Sequence, residues 1–191
     1  MPLRKAGSYS KRYTVPYTRT SKKKNRAYIK TVPPQKIVKF TMGNQKMFKE
    51  GKLPYTLTMI STEWVQIRHN ALEACRMYLN RKMDDKFGGQ YLLKVLQYPH
   101  HIQRENKMLT GAGADRMQTG MQLSFGKTIG KATLTKKNTP IFFVALPNLK
   151  AVVQSREFLK EIKSKLPCTT RIEYQEIKAS PVQAQQAQGA Q

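Results

Sequence analysis

The stretch Pro140–Pro167, PIFFVALPNLKAVVQSREFLKEIKSKLP, joins a continuous apolar run to an amphipathic one. The run Ile141–Leu146 is typical of a central strand that is buried on both faces. After it, Asn148 is a suitable N-cap for a helix over about Leu149–Leu166, which Pro167 ends. The apolar stripe of this predicted helix is Val152, Leu159, Ile162 and Leu166.

A second helix is predicted upstream, over about Thr62–Met83. Ser61 is a suitable N-cap, and Glu63 would place a negative charge in the first turn, where it suits the helix dipole. Gly88-Gly89 closes the segment, and we expect Trp64 to be an anchor in the core. The apolar stripe contains Val65, Leu72, Cys75 and Leu79, with Cys75 as a small buried hydrophobe.

Several further runs predict strands. Leu53–Ile60 alternates so that Leu57 and Met59 share one face, and Pro54 indicates an edge strand. Two helices among several strands, without regular alternation of strand and helix, predict an α+β fold built as a two-layer α/β sandwich. The other predicted strands are Ile37–Phe40 (before a turn at Gly43-Asn44), Tyr91–Tyr98, Gln122–Phe125, Gly130–Thr135 and Arg171–Ile177.

Composition restricts the class of protein. The chain has 191 residues, is 39% hydrophobic and carries a formal net charge of +24. Because globular domains are roughly 45–50% apolar, we expect a modest core and segments that lie outside it. So large a positive charge is unlike that of an ordinary soluble enzyme and favours a polyanionic partner.

Neither a membrane nor a disulfide framework is expected. The longest apolar run, Ile141–Leu146, is far too short to span a bilayer, and no apolar segment typical of a signal peptide follows the basic N-terminus. The two cysteines, Cys75 and Cys168, form no CxxC pair and have no histidine at the spacing of a metal ligand. We therefore expect a soluble cytoplasmic protein.

Residues 1–35 are predicted to form an extended basic arm. No Asp or Glu precedes Glu50, and Pro16, Pro33 and Pro34 interrupt the arm. Such a segment repels itself in isolation and becomes ordered only against phosphates, unless it is simply a solvated tail. Its tyrosines could stack on bases while lysines and arginines follow the backbone. These are Tyr9, Tyr13, Tyr17 and Tyr28.

A long loop is expected to carry the function. The stretch Tyr98–Lys127, YPHHIQRENKMLTGAGADRMQTGMQLSFGK, is basic, rich in glycine and bracketed by apolar runs. Loops of this kind on a rigid scaffold usually carry function. We expect residues 36–178 to form a single α+β domain from which the loop 99–120 projects. Residues 179–191, ASPVQAQQAQGAQ, are predicted to be a disordered tail.

No pattern indicates a catalytic, metal or cofactor site. His100, His101, Glu105 and Asp115 are close in sequence, but adjacent histidines point apart and there is no HxH, HExxH or DxD motif. Gly111–Asp115, GAGAD, superficially resembles a dinucleotide-binding loop, but the third glycine and a surrounding βαβ unit are missing. RNA binding needs no such geometry, because basic side chains contact phosphates and exposed rings stack on unpaired bases.

The loop and several other segments resemble one protein family. Residues 99–126 fit the pattern PHHIxRENKMLxxAGADRMQTGMxxSFG, and Gln66–Arg76, QIRHNALEACR, matches the helix of the same family. Pro16–Arg19, PYTR, and Met42–Asn44, MGN, match nearer the N-terminus. The chain resembles a universal protein of the large ribosomal subunit, numbered sixteen in bacteria and ten-e in archaea and eukaryotes. The residues at these positions resemble those of the archaeal and eukaryotic branch.

The resemblance implies a hammerhead-like sandwich that binds large-subunit rRNA beside neighbouring ribosomal proteins. It also implies that the loop, His101–Met117 here, extends toward the peptidyl-transferase centre and lines the path of the tRNA acceptor arm. No catalytic residue or cofactor is implied, because peptide-bond formation is the chemistry of the RNA. The tRNA-proximal residues would be Arg104, Lys107, Gly111, Gly113 and Arg116. The expected RNA-binding residues are Arg4, Arg12, Arg19, Lys22, Lys23, Lys24, Arg26, Arg68 and Lys127.

The chain departs from the family pattern in places, and two other functions stay open. The family pattern opens with an Arg-Pro pair and a Cys-Tyr-Arg, and this chain has Arg4–Tyr9, RKAGSY, in that place. Thr41 stands where the family usually has an acid, and residues 21–25 are rich in lysine where the family often has an acid. These changes leave the RNA contacts of residues 5–25 open. The alternatives are a non-resident RNA chaperone or translation factor, and an RNA-processing enzyme that uses His100, His101, Glu105 or Asp115.

Overall fold

The computed structural model of the protein describes residue 29, residues 31–105 and residues 126–177. These residues form an α+β fold, which confirms the predicted class. In chain order its elements are β1 (Thr41–Gly43), α1 (Gln45–Lys49), β2 (Tyr55–Ser61), β3 (Val65–Arg68), α2 (His69–Phe87), β4 (Leu92–Val95), β5 (His101–Glu105), β6 (Lys127–Thr135), β7 (Thr139–Leu146), α3 (Leu149–Glu161), a 3₁₀ helix (Ile162–Lys165) and β8 (Thr170–Glu176).

The larger sheet has five strands in the order β1-β4-β7-β2-β8, and its pairs are antiparallel. β7 lies in the middle of this sheet, and its side chains Ile141, Phe142 and Val144 are fully buried. The prediction of a central buried strand is therefore confirmed. A continuous apolar run fits this position because both faces of the strand are covered.

The prediction that Pro54 marks an edge strand is wrong. β2 pairs with β7 on one side and with β8 on the other. Pro54 precedes the strand, where its missing N–H is not needed, and its carbonyl oxygen accepts a hydrogen bond of 2.8 Å from the N–H of Ile177. The expectation that Leu57 and Met59 share a buried face is confirmed, since both are fully buried in the same core.

The main core lies between the five-stranded sheet and the helices α2 and α3. Phe142 and Val144 of the sheet belong to the same buried cluster as side chains from both helices. The opposite face of the sheet is partly covered by α1, where the rings of Phe48 and Phe143 meet edge to face at 5.9 Å. The predicted stripes are confirmed by buried Leu72, Cys75 and Leu79 in α2, buried Val152 and Leu159 in α3, and buried Ile162 and Leu166 just after it.

The predicted start of the first helix is wrong. Residues Val65–Arg68 form β3, which pairs with Ala132–Thr135 of β6, and α2 begins only at His69. Ser61 therefore ends β2 and does not cap a helix; its Oγ donates to the carbonyl oxygen of Glu63 at 2.8 Å. Trp64 is 54% exposed, so its prediction as a core anchor is also wrong. The helix continues to Phe87, beyond the predicted end at Met83, and Gly88 caps it in the left-handed conformation, which confirms that Gly88-Gly89 closes the segment.

A smaller sheet has three strands in the order β3-β6-β5. β5 begins at His101, which corrects the predicted loop, because the first residues assigned to it form a regular strand. Pairing with β6 provides hydrogen-bond partners for the backbone N–H and C=O groups of this segment. The flexible composition of the whole stretch Tyr98–Lys127 had instead indicated a loop here. α2 starts directly from the end of β3 and joins this sheet to the main core.

The boundaries of other elements differ by a few residues from the predicted ones. β1 is Thr41–Gly43, so the strand predicted at Ile37–Phe40 is misplaced, and the predicted turn at Gly43-Asn44 leads into the short helix α1. The Asn44 side chain caps α1, accepting from the N–H groups of two of its residues. The predicted strands Tyr91–Tyr98, Gly130–Thr135 and Arg171–Ile177 correspond to β4, β6 and β8.

The remaining predictions fall partly or wholly outside the described residues. These concern most of the arm 1–35, the strand Gln122–Phe125 and the tail 179–191. Ile29 is described and is buried, with 4% of its surface exposed. Across the described ranges, no helix combines the length and the apolar character needed to cross a bilayer.

Candidate nucleic-acid interface

An antiparallel strand pair holds the two ends of the predicted RNA-binding loop. β5 and β6 pair from His101 opposite Ala132 to Glu105 opposite Lys127. Residues 106–125, which connect them, lie outside the described part of the chain. Because paired strands lie about 5 Å apart, both ends of this connection leave the sheet at the same place. The small sheet therefore fixes both ends of the segment that is predicted to be the RNA-binding loop.

A β-bulge interrupts this strand pair near the loop. Gln103 lies opposite Gly130 and Arg104 lies opposite Thr128, so Ile129 is the extra residue in β6. A bulge increases the local twist and changes the direction in which side chains point. Arg104, predicted to be tRNA-proximal within the loop, instead lies in β5 directly beside this bulge. It belongs to the base of the loop.

Basic residues extend along the same small sheet. Arg68 pairs with Ala132, which in turn pairs with His101, so these residues form one row across the three strands. From this row to Lys127 the strand β6 advances about 17 Å at its usual rise per residue. The structure therefore places Arg68, Arg104 and Lys127 along one sheet that leads to the loop, although they are distant in sequence.

His69, the first residue of α2, is buried and neutral beneath this sheet. Burial, and after it the nearby charges of Lys36, Arg68 and Lys131, together lower its pKa to about 4. Its Nδ1 accepts a hydrogen bond of 3.4 Å from the backbone N–H of Lys131. Three cations therefore lie near one buried side chain, and their combined potential favours a negatively charged partner.

A buried amide pair fixes the small sheet. Nε2 of Gln103 in β5 donates a hydrogen bond to Oε1 of Gln66 in β3, and each residue is only 4% exposed. A hydrogen bond away from water is strong, so it ties the two outer strands across β6. Gly130 lies between them, and a Cβ atom there would lie 3.1 Å from Nε2 of His69. The glycine therefore allows α2 to approach the sheet.

Aromatic rings stack at the base of the loop. The ring of Tyr98 stacks on Phe40 at 5.2 Å between centroids, and the ring of His100 lies 4.4 Å from Tyr98. Tyr98 is nevertheless 46% exposed. A partly exposed ring that is held in place by neighbouring rings presents a surface on which an unpaired base can stack. Sequence analysis assigned no role to this stack, although an aromatic residue followed by Pro99 at a loop boundary was visible.

The structure describes three of the predicted site residues, namely Arg68, Arg104 and Lys127. Sequence analysis did not select Lys36 and Lys131, whose position beside His69 depends on how distant segments pack. The other predicted site residues lie outside the described part of the chain. They are Arg4, Arg12, Arg19, Lys22, Lys23, Lys24, Arg26, Lys107, Gly111, Gly113 and Arg116.

The side chains considered for an enzyme are not assembled into a site in the described residues. The ring of His100 packs on Tyr98. The pKa of His101 is lowered, mainly by burial and also by the charge of Arg104. Within residues 31–105 and 126–177, no cluster of at least three His, Cys, Asp or Glu side chains could hold a metal ion. Burial raises the pKa of the Cys75 thiol to about 12, so this cysteine is unreactive at neutral pH.

Comparison with known proteins identifies the family. The family model described as ribosomal protein L16p/L10e matches residues 16–173. Large ribosomal subunit protein uL16 of Staphylothermus marinus is 43% identical over 179 residues, covering 93% of this chain and 97% of that protein.

Two further archaeal relatives give the same result. The uL16 protein of Sulfolobus acidocaldarius is 43% identical over 175 residues, covering 91% of this chain and 94% of that protein. The uL16 protein of Saccharolobus islandicus is 41% identical over 175 residues, covering 91% of this chain and 93% of that protein. The family match covers residues 16–173, which include the predicted loop and all strands except the end of β8. The resemblance seen in the sequence is thereby confirmed, and the chain belongs to the ribosomal protein L16p/L10e family.

Proposed function

We propose that this protein is a structural constituent of the large ribosomal subunit in the cytoplasm. The observation that carries the proposal is family membership over residues 16–173, together with relatives named as large-subunit proteins over more than nine-tenths of the chain. The family is one of ribosomal proteins and not of enzymes. No cofactor and no membrane form part of the proposal.

Large-subunit rRNA is the proposed principal partner, with neighbouring ribosomal proteins beside it. A net charge of +24 favours a polyanion, and two of the cations around His69, Arg68 and Lys131, lie on the same small sheet as Arg104 and Lys127. Phosphate contacts of this kind give strong binding with little dependence on sequence, so the shape of the folded RNA would supply the specificity.

The loop is proposed to line the path of the tRNA acceptor arm near the peptidyl-transferase centre. Its support is the family resemblance of residues 99–126 and the paired strands that fix both ends of the loop. Arg104 at the base, and Lys107 and Arg116 within the loop, would contact tRNA or the RNA around it. Gly111 and Gly113 would allow the backbone to approach RNA closely.

The finer architecture belongs to the same proposal. Residues 1–35 would be an arm ordered by rRNA, residues 36–178 a hammerhead-like two-layer domain, and residues 179–191 a disordered tail. The absence of any acid before Glu50 supports the arm, because its charge is balanced only when phosphates are nearby.

Sedimentation of a native cell extract on a sucrose gradient, at moderate and then at high salt, tests this function. We expect near-stoichiometric migration with the large subunit that survives the salt wash. Slow migration as a free protein, or release from the subunit at mild salt, would instead identify a transient RNA chaperone or translation factor. RNA cleavage by the purified chain that a chelator abolishes would contradict the proposal in favour of an enzyme.

A further inference from the structure

Trp64 lies exposed on the surface between β2 and β3. It is the only tryptophan of the chain, and 54% of its surface is accessible to solvent. Ser61 ends β2 and Val65 begins β3, so the backbone on both sides of Trp64 is fixed by sheet pairing. A large aromatic side chain that is more than half exposed and flanked by rigid backbone can contact a partner without a large loss of conformational freedom.

Lysines lie directly beside this ring. Nζ of Lys136 lies 5.9 Å from the centroid of the Trp64 ring, and Lys137 follows in the tight turn between β6 and β7. Both lysines are exposed. The turn is held by Asn138, which has a φ of 60° and donates its N–H to the carbonyl oxygen of Ser61 at 2.8 Å. The lysines and the tryptophan are therefore kept together by backbone contacts.

Leu134 extends the same surface. It lies two residues before Lys136, the spacing of one strand face, and is 41% exposed. We call Trp64, Leu134, Lys136 and Lys137 the Trp64 patch. One acid lies next to it, Glu63, whose carboxylate accepts a hydrogen bond of 2.5 Å from the Thr169 hydroxyl. The patch thus combines an exposed ring with two positive charges, and the neighbouring carboxylate of Glu63 is held by Thr169.

This combination fits RNA better than a protein. Lysine is depleted in protein–protein interfaces, whereas single-stranded nucleic acid is bound by an aromatic platform flanked by cations that contact phosphates. Tyr78 provides an internal contrast. Lysines also lie over its ring, at 5.8 Å for Lys82 and 5.5 Å for Lys165, but its hydroxyl donates to the Glu161 carboxylate. That carboxylate is bonded to the hydroxyl of the ring itself and would repel a phosphate there, whereas the Glu63 carboxylate is bonded to Thr169.

We propose that Trp64 is a stacking platform for an unpaired RNA base, with Lys136 and Lys137 contacting the adjacent phosphates. The inference rests on the RNA binding proposed above and adds a second contact surface. It lies at the end of the small sheet where Val65 pairs with Thr135, whereas the loop leaves β6 at Lys127. The two surfaces are thus about 25 Å apart along β6 at the usual rise per residue.

The single tryptophan makes the platform directly observable. The full-length chain is titrated with oligoadenylate, which has bases, and with inorganic polyphosphate, which has none, at equal salt. We expect oligoadenylate to quench the emission of Trp64 and to protect it from acrylamide, because a base stacks on the indole. Polyphosphate should bind without either effect.

Substitutions give a second readout through the anisotropy of labelled oligoadenylate. Trp64→Ala should weaken binding roughly 5- to 150-fold, the range found when one base-stacking ring is removed, and Trp64→Phe should retain most of the affinity. Met77→Ala is the matched control, because Met77 is 58% exposed on α2 and lies outside the patch. It should leave the affinity unchanged, and circular dichroism checks that each variant folds.

Two outcomes would overturn the inference. In the first, oligoadenylate binds but the Trp64 emission and the affinity of Trp64→Ala match those of the controls; RNA binding would then stand without this platform. In the second, oligoadenylate does not bind at all. The gradient experiment decides separately whether the chain resides in the large subunit, so failure of the platform and failure of the proposed function are distinguishable.

Discussion

At the scale of single residues, His69 makes stability depend on pH. Its pKa is about 4 in the folded protein against 6.5 for an unperturbed histidine, because it is buried beside Lys36, Arg68 and Lys131. Well above pH 6.5 the histidine is neutral in both the folded and the unfolded chain, so it does not make the stability depend on pH. Below that pH the unfolded chain binds a proton that the folded chain does not, so stability falls and levels off below about pH 4.

We therefore predict that His69→Asn removes part of the acid sensitivity. An asparagine Oδ1 can accept the same Lys131 N–H, and it does not titrate. The wild-type chain should lose up to about 3 kcal/mol more than the variant across this window. Urea unfolding at several pH values measures the difference, and equal pH dependence in both proteins would show that His69 does not cause it.

Gly43 supplies a second prediction at this scale. Its φ is +85°, and a Cβ atom would lie 2.1 Å from the carbonyl oxygen of Tyr91. The same oxygen accepts a hydrogen bond of 2.7 Å from the N–H of Asn44, so the clash would disrupt the contact between the turn and the chain entering β4. Gly43→Ala should cost about 3 kcal/mol or more, which combines backbone strain with overpacking.

Gly89→Ala is the matched control for this substitution. Its φ of +83° is nearly the same, but nothing lies within 4 Å of the added Cβ. The control should cost only about 1 kcal/mol, from backbone strain alone. Thermal or urea unfolding compares the two variants. Equal losses of stability would mean that the left-handed conformation, and not contact with Tyr91, makes glycine necessary at position 43.

At the scale of elements, the ring stack that supports the loop is expected to contribute to RNA binding. Tyr98→Ala should weaken binding to large-subunit rRNA by about 1–3 kcal/mol, because the exposed ring is supported by Phe40. Tyr174→Ala on β8 is the control. That ring is similarly exposed, at 43% against 46%, and stacks on Tyr55, but Glu173 and Glu176 flank it. A filter-binding assay measures the affinity of both variants for rRNA. Equal affinities of Tyr98→Ala and Tyr174→Ala would contradict an RNA contact at Tyr98.

The loop itself should separate two activities. Arg116→Ala removes one charge among many that dock the protein, so occupancy of the large subunit should stay normal. If Arg116 contacts tRNA, removal of one charged hydrogen bond should weaken tRNA binding to those subunits roughly 10-fold. Arg156→Ala, on the exposed side of α3, should change neither quantity. A variant that fails to join the subunit would refute this division of roles.

The periodic spacing of apolar residues predicted the middle of the helices and strands. Their ends depend on strand pairing between residues that are far apart in the sequence. Val65 lies seven residues before Leu72, so it continues the stripe of α2 and favours a helix that starts too early. Only pairing with Thr135, far along the chain, makes Val65 part of a strand. The loop was predicted from its composition and its family resemblance, and its residues 106–125 lie outside the described part of the chain. In contrast, the cations around His69 come from Lys36, Arg68 and Lys131, and only the folded packing of three segments brings them together.

At the scale of the whole molecule, charge is distributed unevenly along the chain. Residues 1–28 contain nine Lys and Arg and no acid, so their removal would lower the net charge from +24 to +15. The acids Glu157, Glu161, Glu173 and Glu176 lie instead on α3 and β8. The N-terminal part of the chain is thus the segment that most needs phosphates, while α3 and β8 are closer to neutral.

Deletion of residues 1–28 tests how much of the binding depends on this charge. The deletion retains Ile29, which is buried, so the folded domain should persist. If about 10 basic residues of the full chain bind phosphates, the logarithm of its affinity for rRNA should fall with the logarithm of salt at a slope of about −7 to −9. The deletion should flatten that slope by about 0.7–0.9 for each phosphate that the shortened chain no longer binds, and it should abolish stable incorporation into the subunit.

Removal of residues 179–191 is the matched control for the arm deletion. That tail carries no charged side chain, so its removal should change neither the salt dependence of rRNA binding nor the occupancy of the subunit. Both quantities are measured on the same salt-washed subunits for the two shortened chains. Normal occupancy of the arm-deleted protein in those subunits would show that the folded domain alone anchors it, and the arm would then be a solvated tail.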